Sequence, residues 1–218
     1  ASPAWGSYER TIPAMSMHEE RLTLDVARES PVVLAGVETR FAAQLRGGLT
    51  QPIEGDDSIA HASFARITLT AHGEHALGGG RLVLESTVAG VLAPPSVPVQ
   101  ELVYLGGPVS GPGYDYHEFA GRVGGTGRIE WRAHVPFFGL SLGPYGHAPA
   151  SATLAPFATL VYTARAPSFA DRPAGFYPAV GVGALIFFDI VRLDVARGLR
   201  RGRWTFSLDV TRDLWRIL

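Results

Sequence analysis

The chain has 218 residues, no cysteine and a formal net charge of −1, and every basic residue is an arginine. These features exclude a disulfide framework and a thiolate metal site, and they remove any electrostatic case for nucleic acid as a partner. Glycine (26) and proline (16) are abundant enough to argue for many turns and against a helical bundle. A membrane-crossing helix is also excluded. The longest stretch without Asp, Glu or Arg, 133–164, is broken by Pro136, Pro144, Pro149 and Pro156, and 177–188 is too short.

Residues 1–20 carry no clear pattern. From Arg21 onward, Leu22, Leu24 and Val26 alternate with polar neighbours, and Ser30-Pro31 reads as a tight turn. Val33, Ala35, Val37, Thr39, Phe41, Ala43 and Leu45 then form one long period-two segment. Strands of soluble domains run ~5–6 residues, whereas spanning strands need ~9–11. Residues 46–62, with Gly47-Gly48 and Asp56-Asp57, read as a polar loop. Ala65, Ile67, Leu69 and Ala71 alternate with Arg66, Thr68, Thr70 and His72, Gly78-Gly79-Gly80 is a turn, and 81–93 return as a strand.

The stretch 94–125 is different. Between Tyr104 and Gly121 it holds Gly106, Gly107, Gly111, Gly113, Pro108 and Pro112 together with Tyr104, Tyr114, Tyr116 and Phe119. Glycine and proline forbid a regular strand or helix, and the aromatics would expose a large apolar patch if the loop pointed outward. The expectation is a loop folded into the mouth of a barrel, with Asp115 and Glu118 meeting Arg128, Glu130 and Arg132 on the strand that follows. After it, Ile129, Trp131, Ala133 and Val135 alternate with charged residues, and 151–165 turn Ala158, Leu160 and Tyr162 to one face. A second polar loop occupies 166–177. Strands follow over 179–188, 191–196 and 204–218, separated by turns at Asp189 and 200–203.

The fold expected is all-β: an antiparallel transmembrane β-barrel of eight to ten strands with an inward-folded long loop. Two features favour a membrane barrel over a soluble β domain. Charges of both signs share one face, and long connections alternate with short turns, as in outer-membrane barrels. The charges expected to line the lumen are Glu38, Arg40, Arg66, Glu85, Arg128, Glu130, Arg132, Arg192, Asp194 and Asp209. Trp131, Tyr162, Trp204 and Trp215 are expected at the membrane interfaces.

Other motifs carry less. Gly139-Leu-Ser141-Leu-Gly143 fits a nucleophile elbow, but Pro144-Tyr-Gly-His-Ala-Pro after it will not start the helix that chemistry needs. His72 and His75 point to opposite faces of a strand and cannot share a metal. No catalytic centre, metal site or cofactor is expected.

Tyr104-Leu-Gly-Gly107, Gly113-Tyr114, Phe119-Ala-Gly121, Glu130-Trp-Arg132, Pro156-Phe157, Arg192-Leu-Asp-Val-Ala-Arg-Gly-Leu199 and the terminal Trp-rich strand occur in an order that resembles the C-terminal barrel half of the bacterial surface antigen family. That is the superfamily of the BamA and TamA outer-membrane insertases, and the likeness covers roughly 80–218. It implies an outer-membrane location and a sixth extracellular loop that touches the inner wall, with Gly106, Gly107, Gly113, Tyr114, Glu118, Phe119 and Gly121 as the inward motif. Where the family places an arginine before the Gly-Tyr pair, Pro112 stands here. Where it places an acid two residues after Pro-Phe, Thr159 stands.

The whole chain, 1–218, is thus expected to be a non-enzymatic outer-membrane domain, the C-terminal part of a larger protein. It would anchor, or take part in, protein assembly or translocation. Its partners would be the lipid bilayer and unfolded outer-membrane proteins or lipids as clients. A small self-contained channel or structural barrel, and a soluble β-barrel that binds a small apolar ligand, are the alternatives.

Overall fold

The computed structural model describes residues 17–27, 31–34, 36–52, 62–94, 99–139, 143–145, 150–167, 170 and 172–210. Its strands are β1 (Met17–Ala27), β2 (Val32–Leu34), β3 (Val37–Pro52), β4 (Ala62–Leu77), β5 (Gly80–Leu92), β6 (Val103–Leu105), β7 (Phe119–Gly121), β8 (Val123–Pro136), β9 (Ser151–Ala164), β10 (Gly175–Ile186), β11 (Val191–Gly198) and β12 (Trp204–Val210). A four-residue helix, α1 (Gly107–Ser110), and two short 3-10 turns are the only helical pieces among the described residues. No helix among them is long and apolar enough to cross a membrane.

The protein is all-β. Ten strands join in one antiparallel sheet in the order β1-β3-β4-β5-β8-β9-β10-β11-β12, and β2 continues the row of β1 along β3. The short pair β6-β7 stands apart. A closed barrel is not what the described residues form. β1 and β12 each pair on one side only, so the sheet is open. Its nine rows alternate in direction, so the first and last run the same way, and a seam made directly between them would be parallel.

Three boundaries differ from the sequence reading. The segment 33–45 is not one strand: the chain reverses at Gly36, whose φ of 81° closes the β2-β3 hairpin, so the turn lies past Ser30-Pro31. The expected 46–62 loop is shortened at its start: β3 runs on to Pro52 and β4 begins at Ala62, because Gly47 and Gly48 belong to β3. Gly48 is there for space rather than for turning; a Cβ on it would lie 2.8 Å from the Glu20 carbonyl oxygen and would strike the Phe64 ring. The 166–177 loop ends earlier, since Gly175 opens β10.

Period-two alternation gives the sheet two unlike faces. One face carries residues 99–121 packed against it, and between them lies the main apolar core of Ala89, Val91, Val103, Leu105, Tyr114, Phe119, Val161, Tyr177 and Ala179. The other face is bare. It presents Leu45, Ile67, Leu69, Val88, Ile129, Leu160, Val180, Val182, Leu193 and Phe206, all exposed. Glu130 and Asp194 are buried on the loop-bearing face, while large apolar side chains are exposed on the bare one.

Candidate functional site

The loop that crosses the sheet starts with a 3-10 turn at Val99–Glu101, which the Tyr104 hydroxyl ties down by donating to the Val99 carbonyl at 2.6 Å. Burial pushes the Tyr104 phenol up to about 12. β6 and β7 pair so that Tyr104 faces Ala120, and α1 hangs between them with Ser110 Oγ donating to the Gly106 carbonyl at 2.9 Å. Gly106 and Gly107 lie at positive φ, and Gly107 packs beneath the Tyr116 ring.

The far tip of the loop, Gly113-Tyr114, reaches the last three strands. The Gly113 amide donates to Thr205 Oγ1 at 2.9 Å, and its carbonyl accepts from the Arg203 amide at 3.0 Å. Gly113 has a φ of 87°, and a Cβ on it would lie 2.7 Å from the Arg197 carbonyl carbon and 2.8 Å from Gly198 Cα. Only glycine meets both demands. Tyr114 is 1% exposed and Phe119 0%. The Tyr114 hydroxyl donates to the Pro178 carbonyl at 2.7 Å, and its ring meets Phe119 edge-on at 5.0 Å and Tyr177 at 6.0 Å. Gly121 closes the loop in β7, opposite Val103.

The acids of the loop do not use the partners expected from the sequence. Glu118 Oε1 accepts from Arg172 Nε at 2.5 Å, and Asp115 pairs with Arg203. The reason is height along the strands: the loop packs over Gly124, near the start of β8, four or more residues from Arg128, Glu130 and Arg132.

Those three join Arg192 and Asp194 in a separate network further down the same face. Glu130, 2% exposed, takes Arg192 Nη2 at 2.5 Å, Arg132 Nε at 2.6 Å and Arg128 Nη2 at 2.7 Å. Asp194 takes Arg192 Nε at 2.9 Å and Arg128 Nη2 at 3.3 Å. Arg128 also lies 3.6 Å over the Phe157 ring. The contact from β11 to β8 spans two intervening strands, ~14 Å on a flat sheet at ~4.8 Å per strand. A sheet that curls toward its loop-bearing face brings these side chains together.

The remaining predicted charges share the face but not the network. Glu38 stands opposite Glu74 and Arg40 opposite His72. Glu85 lies 3.6 Å from His72 Nδ1, and His72 Nε2 lies 2.9 Å from Glu74. Arg66 faces Arg46 across β3-β4. Asp209, exposed on β12, accepts from the Val210 amide at 2.8 Å and pairs with no arginine among the described residues. Thr159, in the place of the family's acid, is buried on the loop-bearing face with its hydroxyl unpartnered among the described residues, and Pro112 is buried in the loop.

The aromatics expected at interfaces all lie on the bare face where described. Tyr162 packs on Phe176 (4.7 Å) near the long-loop end, and Trp204 takes Arg197 at 5.8 Å. Trp131 donates to the Leu77 carbonyl at 3.3 Å. Gly125 pairs with Tyr162, and Trp131 follows it by six residues, ~20 Å along the strand, or ~14 Å along the normal at a ~45° tilt. That is short of a ~25 Å apolar band. The stacked Phe137 and Phe138 lie just past the end of β8. Trp215 and Ser141 lie outside the described residues, and no group of three His, Asp or Glu among the described ones is placed to hold a metal.

No protein-family model matches the chain, and no curated protein matches it.

Sequence reasoning did not single out the partners that dock the loop: Arg172, Arg203, Thr205 and Tyr177. Each sits in a turn or strand far from it in sequence, and nothing local marks it. Arg46 and Glu101 went unnoticed as well, although an arginine pair facing across β3-β4 follows once the register is known.

Proposed function

We propose that the chain is the wall of a bilayer-spanning outer-membrane β-barrel whose mouth is crossed by the inward loop. The observation that carries this reading is the inversion of the faces. A row of exposed Leu, Ile, Val and Phe covers the outside over all nine strand rows, and the charged side chains are paired on the inside. Seven of the nine rows are long enough: β3 and β4 have 16 residues each, β8 and β9 have 14, β5 has 13, β10 has 12 and β1 has 11, against the ~9–11 needed to span, while β11 has 8 and the described part of β12 has 7. Unpaired strand edges are costly in hydrocarbon, and nine rows cannot close on themselves with an antiparallel seam. An odd number of further strands between β12 and β1 completes the wall.

The finer role, assembly or translocation of proteins at the outer membrane with unfolded barrels or lipids as clients, rests on the surface antigen resemblance. A soluble binder of small apolar ligands is the competing reading. It would use a groove of about 530 Å³ on the bare face, floored by Gly73, Ser86, Gly127 and Ala158. The apolar surface extends far beyond that groove, which favours lipid over a single ligand.

Alkaline carbonate washing of membranes from expressing cells tests the proposal. The chain should stay with the bilayer and need detergent for release; a soluble monomer recovered without detergent would refute it.

A further inference from the structure

We infer that the turn 187–190, between β10 and β11, is a lipid anchor. Its two phenylalanine rings, with those of Phe137 and Phe138, are set among phospholipid acyl chains at the short-turn margin of the bilayer. The inference rests on the bilayer reading and adds its second boundary, which Trp131 falls short of.

The backbone of the turn is the first observation. Phe187, Phe188 and Asp189 have φ of 53°, 62° and 63°. Three consecutive left-handed residues with side chains are strained, and glycine, asparagine or aspartate meet such positions at least cost. Two of the three are phenylalanine instead. The turn is held all the same. The Ile190 amide donates to the Phe187 carbonyl at 3.2 Å, and Asp189 Oδ1 accepts from Thr153 Oγ1, buried on the loop-bearing face, at 2.7 Å. Phe188 is 72% exposed and Phe187 37%, so packing among the described residues does not account for the rings. Strain retained where bulky rings stay outside points to a use for those rings.

Position along the wall is the second observation. Phe187 follows Ile186, the last residue of β10, and Phe137 follows Pro136, the last of β8. Against β9, Leu185 faces Thr153 and Pro136 faces Ser151, so β10 and β8 end about level. The two phenylalanine pairs thus stand at one height, two strand positions apart, or ~10 Å at ~4.8 Å per strand. Phe137 and Phe138 stack at 3.9 Å, and Phe138 is 71% exposed. Together the four rings border the bare face at its short-turn end, opposite the border made by Tyr162, Phe176 and Trp204.

Lipid is the occupant this border fits. The rings continue the apolar face that carries Leu154, Val182 and Leu193. Aromatic girdles flank the apolar band of membrane barrels. Phenylalanine has no polar tip to keep in water, so these rings belong on the acyl side of the boundary.

A matched pair of substitutions tests the anchor, read as the urea midpoint of the full chain in phosphatidylcholine vesicles. Asparagine tolerates the left-handed region, so it relieves backbone strain wherever it replaces a residue held there. Arg201, exposed in the turn between β11 and β12 with a φ of 55°, is the control, and Arg201→Asn should hold or raise the midpoint. Phe188→Asn relieves the same strain, yet it should lower the midpoint, because the ring leaves the acyl region. A midpoint for Phe188→Asn equal to or above that of the unmutated chain overturns the inference. Spin labels on the single-cysteine variants Phe138→Cys and Phe188→Cys give a readout independent of stability. Both should collide with oxygen in preference to a water-soluble nickel chelate, as Ile67→Cys and Leu69→Cys should. Nickel collision at 138 and 188, with oxygen at 67 and 69, overturns the anchor and leaves the bilayer reading standing. Nickel collision at all four removes both.

Discussion

Replacing Gly113 by alanine adds one carbon at the point where the loop tip touches the backbone of β11. That carbon would sit 2.7 Å from the Arg197 carbonyl carbon, 2.8 Å from Gly198 Cα, and closer still to the Gly198 amide nitrogen. All three are main-chain atoms, so no side chain can swing aside. The φ of 87° adds about 1–2 kcal/mol of backbone strain for a residue with a Cβ. Forcing the tip away from the wall adds roughly 1–3 kcal/mol of overpacking. Losing the bonds to Thr205 and Arg203 adds about 0.5–1.5 kcal/mol each. The expected loss is therefore about 3–6 kcal/mol, the terms being only partly additive. Two glycines separate the causes. Gly78 has a φ of 53° and nothing within 4 Å, so Gly78→Ala isolates strain; Gly90 has ordinary φ and open space, so Gly90→Ala should be neutral. The assay is urea unfolding in lipid vesicles, followed by tryptophan fluorescence. If Gly113→Ala costs no more than Gly78→Ala, the loop tip does not touch the wall.

Further outcomes follow from the charged wall, the bare face and the loop. Glu130→Gln leaves three arginines around a neutral amide and should lose about 3–5 kcal/mol by the same unfolding assay. Asp209→Asn, exposed on the same face, should stay within ~0.5 kcal/mol. Leu69→Arg, midway along β4, should cost about 2–4 kcal/mol in vesicles, whereas on a water-facing surface it would be near neutral. The Tyr104 phenol, raised to about 12 by burial, contributes stability that is complete below the unfolded value near 10 and is lost as pH rises through about 12. Burial also pushes the Tyr114 phenol up, so a spectrophotometric titration at 295 nm should show a late-ionising component that shrinks, without vanishing, in Tyr104→Phe.

Much of the sheet was legible because its alternation is strict. Leu22, Ile67, Leu84, Ile129 and Leu193 mark strands whichever solvent they face. The packing of 104–121 onto a sheet face was legible for a second reason, since glycines at 106, 107 and 113 beside buried rings have few other uses. Hairpin ends were harder. Gly47-Gly48 looks like a turn in sequence, yet in the sheet it makes room for Phe64, and only the register reveals that. The same limit hid the loop's true partners, because Arg172 and Arg203 come near Glu118 and Asp115 only after β8–β12 are laid side by side. Open or closed edges depend on the first and last rows, where periodicity says nothing about which strand comes next.

The central claim, that the bare apolar face meets lipid, is tested most directly by spin labels placed along β4. The chain has no native cysteine, so single-cysteine variants at Ile67, Thr68, Leu69 and Thr70 carry no background label. Ile67 and Leu69 lie on the bare face, Thr68 and Thr70 on the loop-bearing one. In vesicles the account predicts collision with oxygen, and not with a water-soluble nickel chelate, at 67 and 69, and the reverse order at 68 and 70. Nickel accessibility at 67 and 69 equal to that at 68 and 70 would contradict it.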